Sequence, residues 1–295
     1  MALTVSNLQV AYGGVVAVRD VSLSVQSGQI TAVLGANGAG KTSTLLGISG
    51  LVRARAGHVD FQGTSLLGMA PERIARLGIA HVPAGRGIFP GLSVADNLRM
   101  GLYGSRRRGD TAAGRDGDTA AVEEVLDAFP ILRERRTQAA GTMSGGQQQQ
   151  LAIGRALVQR PKLLMLDEMS MGLSPTVVAD LFALVRRLAD EGMAVVMVEQ
   201  FVGQALKVAD QAVVIEQGTV AAAGRPQDLS AEDIGAAYLG SDDAPKLPGA
   251  PRDARQRVPV SLAGVDVRRL ERLAAEQGRT PDELAQELLE KALGS

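Results

Sequence analysis

The sequence predicts an α/β fold with a mixed sheet core, an antiparallel β part, a helical part and a small β-α-α appendage. Three observations predict it. Apolar and polar side chains alternate over residues 3–25, which is typical of antiparallel strands joined at the Tyr12-Gly13-Gly14 turn. Two apolar runs, at 28–34 and 163–166, have the pattern of buried strands. A stretch rich in Pro, Gly, Asp and Arg, at 241–256, separates the last segment from the rest.

The composition indicates a folded chain and excludes several kinds of chemistry. The chain has 295 residues, 45% of them hydrophobic, which is enough to bury the core of one large domain plus an appendage. Its 31 Lys and Arg balance 32 Asp and Glu, so it has no general attraction to nucleic acid or anionic membrane. There is no Cys, and the two isolated histidines, His58 and His81, are interpreted as structural. No apolar run approaches the ~20 residues that span a bilayer, so we expect a cytoplasmic chain that can dock on a membrane protein.

Residues 35–42 form a glycine-rich motif typical of phosphate binding. They read Gly-Ala-Asn-Gly-Ala-Gly-Lys-Thr and lie between the apolar run at 28–34 and a helical pattern at 43–48. Glycines let successive backbone N–H groups turn towards phosphate oxygens, the lysine reaches the β- and γ-phosphates, and the threonine holds Mg²⁺. A plain glycine turn does not account for a Lys-Thr pair that opens a helix. The motif predicts ATP and Mg²⁺ as cofactors, with the candidate residues Gly35, Asn37, Gly38, Ala39, Gly40, Lys41, Thr42 and Ser43.

An acidic pair follows the second apolar run. Asp167 and Glu168 come directly after residues 163–166, at the carboxyl edge of a predicted strand, where parallel sheets bind their ligands. Phosphoryl transfer needs neutralisation of charge and a positioned nucleophile. We therefore expect Asp167 to hold Mg²⁺ together with Thr42, and Glu168 to polarise the water that attacks the γ-phosphate.

A second glycine motif, Ser144-Gly145-Gly146-Gln147, opens a predicted helix. Free N–H groups and the positive end of a helix attract an anion, which makes these four residues candidates for nucleotide binding. The alternative interpretation is a simple helix N-cap at Ser144. Tyr12, upstream of the phosphate motif, is open to two interpretations from the residues alone: it stacks on a nucleotide base, or it packs as an ordinary strand tyrosine.

These motifs together resemble the nucleotide-binding domains of ATP-binding-cassette (ABC) proteins, over residues 3–240. The resemblance implies a P-loop NTPase fold and two domains that meet head to tail, so that Ser144 and Gly146 contact the γ-phosphate held by the other subunit. It also implies that Tyr12 stacks on the adenine. Gln200 stands where most of the superfamily has a histidine that senses the γ-phosphate, and is a candidate catalytic residue that orients water or phosphate.

Within that family, the chain is similar to one of the two ATPase subunits of branched-chain amino acid importers. The similarity is carried by segments around 82–90, 93–98, 198–200 and 237–240. It implies a second ATPase subunit, identical or a sister chain, membrane permease subunits, and indirectly an extracytoplasmic substrate-binding protein. It also implies a position on the inner face of the cell membrane. The substrate, and the choice between a homodimer and a heterodimer, stay open at this point.

Some positions depart from the family pattern. Ala84 stands where the family has glutamine or glutamate, a side chain that links the nucleotide site to the membrane subunit, so the strength of coupling is in question. After Glu168 the family has Pro and then Thr or Ser; here these positions are Met169, which departs from the pattern, and Ser170, which keeps it. Met169 and Met171 are both expected to pack as adaptable apolar residues.

The predicted domains are an ATP-binding domain at 1–240, with a helical subdomain at about 90–160, a linker at 241–256 and a tail at 257–295. The Gly-, Arg- and Asp-rich stretch 104–118 is predicted to be a solvated loop. The tail resembles a ribbon-helix-helix unit, with a capping box and proline at the start of its second helix.

Such a unit is too small to bury its own apolar faces, so the tail predicts a dimer contact. DNA binding is the competing interpretation, and the balanced charge of the tail argues against nucleic acid as a partner.

For the chain as a whole, the sequence favours the ATPase subunit of an importer. The alternative is a soluble ABC ATPase whose tail has a regulatory or DNA-tethering role.

Overall fold

The computed structural model describes residues 1–104 and 113–236. Within these residues ten strands form one mixed sheet. The strands are β1 (Leu3–Tyr12), β2 (Val15–Val25), β3 (Ile30–Leu34), β4 (Ala54–Phe61), β5 (Thr64–Ser65), β6 (Ile79–Val82), β7 (Leu163–Asp167), β8 (Ala194–Val198), β9 (Gln211–Glu216) and β10 (Thr219–Gly224). The helices are α1 (Lys41–Ile48), α2 (Pro71–Arg76), α3 (Val94–Gly101), α4 (Ala113–Ala128), α5 (Pro130–Glu134), α6 (Gly145–Leu157), α7 (Pro175–Asp190), α8 (Val202–Val208) and α9 (Ala231–Ala236).

The centre of the sheet is parallel. Its strands run in the order β9-β3-β8-β7-β6, with each neighbouring pair parallel. All residues of β3, β7 and β8 are buried, as expected for a parallel sheet that is covered on both faces. The carboxyl ends of these three strands therefore lie side by side, and each leads into a segment singled out by the sequence.

The antiparallel part completes the other side of the sheet. β1 pairs with β2 and with β4, and β4 pairs with β5, all antiparallel. β10 pairs antiparallel with β9 and joins β2 through the Thr219–Asp20 pair. The antiparallel strands and the glycine turn predicted for residues 3–25 are confirmed.

Side chains that alternate along the central strands contribute to two hydrophobic clusters. Ala32 and Leu34 of β3 belong to a cluster that contains the apolar sides of α3, α4, α6 and α7. Val33, between them, belongs to a second cluster with Leu45 and Ile48 of α1 and with the antiparallel strands. Because neighbouring residues of a strand point to opposite faces, the sheet separates the helical part from α1.

One sequence expectation needs correction here. Part of the stretch 104–118, predicted to be a loop, is helical, because α4 begins at Ala113. The helix is stabilised further along, where Val122, Val125 and Leu126 are buried against the helical cluster, and this packing outweighs the low helix propensity of the Gly and Asp residues.

Several expectations lie outside the described residues: the Arg106-Arg107-Arg108 run, the segment 237–240, the linker 241–256 and the ribbon-helix-helix-like tail 257–295. The predicted domain boundaries stay predictions. Over residues 1–104 and 113–236, no helix combines the length and the apolar character that crossing a membrane requires.

Candidate nucleotide site

The phosphate loop connects β3 to α1, and its glycines are required by the backbone. Gly35 has φ +146, and a Cβ at this position would lie 2.2 Å from the carbonyl oxygen of Ile215. Gly40, which precedes the first residue of α1, has φ +108 and would place a Cβ 2.6 Å from the carbonyl oxygen of Ala17. The loop is thus wedged between β9 and β2, and its course is compatible only with glycine at these two positions.

Lys41 is the first residue of α1 and is buried. Its Nζ donates hydrogen bonds to the carbonyl oxygens of Gly35, at 2.8 Å, and Ala36, at 3.0 Å. The ammonium group is therefore held over the concave side of the loop, where the motif expects the β- and γ-phosphates.

Thr42 and Asp167 meet although 125 positions separate them in the chain. The Thr42 hydroxyl donates to Asp167 Oδ1 at 3.1 Å. Burial raises the pKa of Asp167, while the Thr42 hydroxyl and the backbone N–H of Ala84 oppose that shift. One carboxylate and one hydroxyl are the hard oxygen donors that suit Mg²⁺, which usually keeps several waters and binds substrate phosphates as well. The two residues fit the predicted magnesium site.

Glu168 and Gln200 are also brought together, and Asn37 joins them. Gln200 Nε2 donates to Asn37 Oδ1 at 3.1 Å and to Glu168 Oε1 at 3.2 Å. One amide group thereby connects the phosphate loop with the expected general base. Glu168 has φ +48, a conformation that costs a non-glycine residue about 1–3 kcal/mol and is found mainly at functional sites.

Behind this cluster lies a buried acidic residue, Glu199, at the end of β8. Its side chain is fully buried, and the Ser170 hydroxyl donates to its Oε2. Burial raises the pKa of Glu199 to about 7, against the hydrogen bonds from Ser170 and from the backbone of Gln200. The segment 198–200 was noted in the sequence only as part of a resemblance. An acidic residue directly after a buried strand, as at 167–168, was the signal that could have marked it as part of the site.

Tyr12 lies at the edge of the same site. Its hydroxyl donates to Ser43 Oγ at 3.3 Å, and 45% of the residue is exposed. The aromatic ring of β1 therefore stands beside the start of α1, with surface free for a base to stack on. This position is compatible with stacking on a base, and the role of Tyr12 stays a prediction.

The second glycine motif belongs to a different element, α6. Ser144 is the N-cap of α6 and forms a capping box with Gln147: Gln147 N–H donates to Ser144 Oγ at 3.4 Å, and Ser144 N–H donates to Gln147 Oε1 at 3.0 Å. The N-cap interpretation of Ser144 is thus correct as local structure, and Gln147 is engaged in the cap. A Cβ on Gly146 would lie 2.7 Å from Val177 Cγ1, at the start of α7.

Arg86 was not among the sequence candidates, yet it lies at this helix end. Its Nη1 donates to Gln148 Oε1 at 2.8 Å, and a Cβ on Gly145 would approach its Nη2 to 2.8 Å. Arg86 has φ +72 and follows β6 through the Ala84 turn. A guanidinium beside a positive helix end is favourable only when an anion is near. The sequence gives no signal for this approach, since 58 positions separate Arg86 from Ser144.

Comparisons with known proteins agree on one family. The model of the family described as ABC transporter matches residues 18–171. BraG of Pseudomonas aeruginosa, a high-affinity branched-chain amino acid transport ATP-binding protein, is 43% identical over 218 residues, which are 74% of this chain and 90% of BraG. The chain belongs to the ABC transporter family.

Two further likenesses show the range of that family. LptB of Escherichia coli K12, a lipopolysaccharide export ATP-binding protein, is 37% identical over 243 residues, 81% of this chain and 98% of LptB. A solved ATP-binding cassette of an ABC transporter, in its ADP conformation, superposes with a TM-score of 0.71 at 26% identity, over 81% of this chain and 98% of that chain. The fold is that of a P-loop ABC ATPase with a mixed sheet and helices, as predicted.

In an ABC ATPase domain, ATP hydrolysis drives transport, and the cluster at the carboxyl ends of β3, β7 and β8 has the groups for that reaction. Gly35, Lys41, Thr42, Asp167, Glu168 and Gln200 all lie there. Across residues 1–104 and 113–236, no group of three or more His, Asp or Glu forms a metal site. A single ion held between Thr42 and Asp167, with phosphate oxygens and waters as its other ligands, is compatible with this finding.

Proposed function

We propose that the chain is the ATP-binding and ATP-hydrolysing subunit of an ABC importer, which energises uptake of branched-chain amino acids or related small polar solutes. The contact of Gln200 with both Asn37 and Glu168 carries the hydrolytic part of the proposal. The likeness to BraG, at 43% identity, supports the transport part. LptB, an export protein, is a relative at 37% identity. The substrate is therefore inferred from the likeness to BraG, and the import direction from Gln200 in place of the histidine that exporters favour.

The geometry supports the following roles. Backbone N–H groups of the phosphate loop and the Lys41 ammonium bind the β- and γ-phosphates. When ATP binds, Lys41 Nζ gives up its hydrogen bonds to the carbonyl oxygens of Gly35 and Ala36 and bonds phosphate oxygens instead. Thr42 and Asp167 hold Mg²⁺, which neutralises charge on the phosphates when bound. Glu168 takes the proton of the attacking water, and Gln200 holds Glu168 beside the phosphate loop through its hydrogen bonds to Glu168 and Asn37.

The proposed assembly has a second ATPase subunit, identical or a sister chain. In it, the N-terminus of α6, with Ser144 and Gly146, faces the γ-phosphate bound by the partner. The capping box leaves Ser144 exposed at the end of a 13-residue helix, where backbone N–H groups attract an anion. Membrane permease subunits and, indirectly, an extracytoplasmic binding protein complete the importer, which places this chain on the cytoplasmic face of the membrane.

The test of hydrolysis is Glu168→Gln in the purified full chain. Loss of a general base lowers kcat by about 10²- to 10⁴-fold, while Lys41 and the phosphate loop continue to bind ATP. Turnover is measured as phosphate release, binding with a fluorescent ATP analogue, and the size of the particle by light scattering with ATP and Mg²⁺. An ATP-dependent dimer in the variant supports the two-site arrangement. Glu216→Gln, an identical change at the end of β9, is the matched control and keeps full turnover.

The test of transport is uptake in a strain that lacks the chain. Uptake of radiolabelled leucine falls on deletion, returns with the wild-type chain and does not return with Glu168→Gln. Uptake of glucose is the control and stays constant. Unchanged leucine uptake in the deletion strain contradicts leucine as the transported solute while leaving the ATPase assignment intact. It then favours a solute other than leucine or the second candidate function, a soluble ABC ATPase with a regulatory or DNA-tethering tail.

A further inference from the structure

Glu199 is an acidic residue to which the chemistry above gives no task. It is fully buried, and among the described residues its Oε1 has no hydrogen-bond partner. A buried carboxyl group with an unpartnered oxygen is costly, and an apolar residue of similar volume would avoid that cost. Its presence at this position calls for a role other than filling space.

Contacts of Glu199 reach all three strands that carry the site. Its backbone N–H donates to the Val33 carbonyl oxygen of β3 at 3.4 Å. Its carboxyl group accepts from the Ser170 hydroxyl, in the segment after β7, and the next residue along the chain is Gln200. Glu199 therefore connects the turn that carries Glu168 with the turn that carries Gln200.

The turn at Glu168 needs support from both sides. Its left-handed backbone conformation, with φ +48, persists only where surrounding contacts impose it. On the amino side, the Glu168 N–H donates to the Val198 carbonyl oxygen at 2.9 Å. On the carboxyl side, Ser170 is buried and fixed by Glu199. The side chain of Glu168 itself reaches Gln200, the residue after Glu199, at 3.2 Å.

We propose that Glu199 is a positioning residue: through Ser170 it fixes the turn of Glu168 relative to Gln200, so that both face the attacked phosphate. This inference rests on the roles proposed above for Glu168 and Gln200. Glu199 does not touch the reacting atoms. Its effect is to hold the general base within the narrow range of positions in which attack is fast, where a displacement of about 1 Å costs on the order of 10² in rate.

Four variants of the full chain test the proposal by turnover, ATP binding and thermal unfolding. Glu199→Leu and Ser170→Ala remove the link, and kcat falls by about 10- to 100-fold while KM and ATP affinity stay within about twofold. Glu199→Gln keeps a polar group that can bond Ser170 and restores most of kcat. Ser49→Ala removes a buried hydroxyl that donates to Leu46, away from the site, and leaves kcat unchanged.

The stability measurement separates positioning from packing. Replacing a buried charge by a well-packed apolar side chain is often neutral or stabilising. Glu199→Leu is therefore expected to keep its Tm and to lose kcat. If Glu199→Leu retains both kcat and Tm, the positioning role is wrong. It is also wrong if Ser170→Ala and Ser49→Ala lose kcat to the same extent for the same loss of Tm.

Amide hydrogen exchange gives a readout that needs no turnover and no nucleotide. The N–H groups of Met171 and Leu173 donate to the carbonyls of Glu168 and Ser170, each at 3.3 Å. They exchange faster in Ser170→Ala and Glu199→Leu and at the parent rate in Glu199→Gln. Equal exchange in all variants overturns the proposal.

Glu168→Gln is the reference for the roles on which this inference depends. If Glu168→Gln keeps full turnover, the proposed general base is wrong. If Glu168→Gln abolishes turnover while Glu199→Leu and Ser170→Ala are unaffected in kcat and exchange, only the positioning role fails.

Discussion

At the scale of single residues, the site combines side chains whose chemistry depends on burial. Asp167 and Glu199 are both buried carboxyl groups, and burial raises the pKa of each. For both groups burial makes the charged form less favourable than it is in water. His81 of β6, whose two ring nitrogens are buried, lies outside the site, and burial shifts its pKa in the opposite direction.

His81 predicts a loss of stability in acid. Both ring nitrogens lack hydrogen-bond partners within the described part of the chain, and burial lowers the pKa of His81 to about 4 from the ordinary 6.5. Between these two pH values the unfolded chain binds the proton and the folded chain does not, so the free energy of unfolding falls as pH falls. The contribution of His81 to this fall is about 3 kcal/mol at most.

The measurement is urea unfolding of the full chain at pH 7, 6, 5 and 4. His81→Asn removes the titrating group and flattens the pH dependence over this range. His58→Asn, the same change at the exposed histidine of β4, is the control and retains the slope of the parent. Equal slopes in His81→Asn and the parent contradict the prediction.

At the scale of elements, α3 and α6 both begin with a serine N-cap, and only the N-terminus of α6 is proposed to face a phosphate of the partner subunit. Ser93 caps α3 and accepts from the Asp96 N–H at 3.1 Å; Ser144 caps α6 and accepts from the Gln147 N–H at 3.4 Å. We expect either change, Ser93→Ala or Ser144→Ala, to cost about 1 kcal/mol of stability. Only Ser144→Ala is expected to lower ATP turnover, by about 10-fold, because one net hydrogen bond to a charged group is worth about 1.5–3 kcal/mol.

The comparison of Ser144→Ala with Ser93→Ala uses chemical denaturation for the cap and steady-state phosphate release for turnover. An equal loss of turnover in both variants would assign the effect to helix stability. An unchanged turnover in Ser144→Ala would remove Ser144 from the proposed phosphate contact and leave it as a cap.

Elements with a strong local pattern were predictable, and so was the meeting of Thr42 with Asp167, whereas the contacts of Arg86 and Glu199 with distant elements were not. The strand that ends at Asp167 and the loop that precedes Lys41 followed from an apolar run and from glycine spacing. Met169 is buried, as expected, but Met171 is 52% exposed, so its prediction as a packed residue is wrong. The two methionines differ because Met169 faces the helical cluster, whereas Met171 lies in the turn towards Gly172. Arg86 and Glu199 were missed because their partners come from other strands and helices.

At the scale of the whole molecule, the residues that the structure describes contain two large hydrophobic clusters. Residues 1–104 and 113–236 include the two hydrophobic clusters and every residue of the candidate site. The tail at 257–295, predicted from its sequence to pair with a second copy, is thus expected to affect association and not folding.

Truncation after residue 240 tests that expectation. The shortened chain keeps its Tm within about 2 °C, since the change removes no residue of the described clusters, and loses self-association in the absence of nucleotide. Sedimentation velocity at several concentrations measures the association, with the full chain as reference. A shortened chain that dimerises as strongly as the full one assigns the nucleotide-free dimer contact to residues 1–240. A shortened chain with a much lower Tm contradicts the independence of the core.

The order of the strands has one more consequence, for the tolerance of the chain to length changes. The three segments of the candidate site follow β3, β8 and β7, which are adjacent in the sheet, and neighbouring strands lie about 4.8 Å apart whatever joins them. The distance between the strand ends that carry the site residues is therefore set by backbone pairing and does not depend on the length of the connections between strands. Peptides inserted between β6 and β7 are expected to leave that spacing unchanged, so the helical part can vary in length while the edge that carries the candidate site keeps its dimensions.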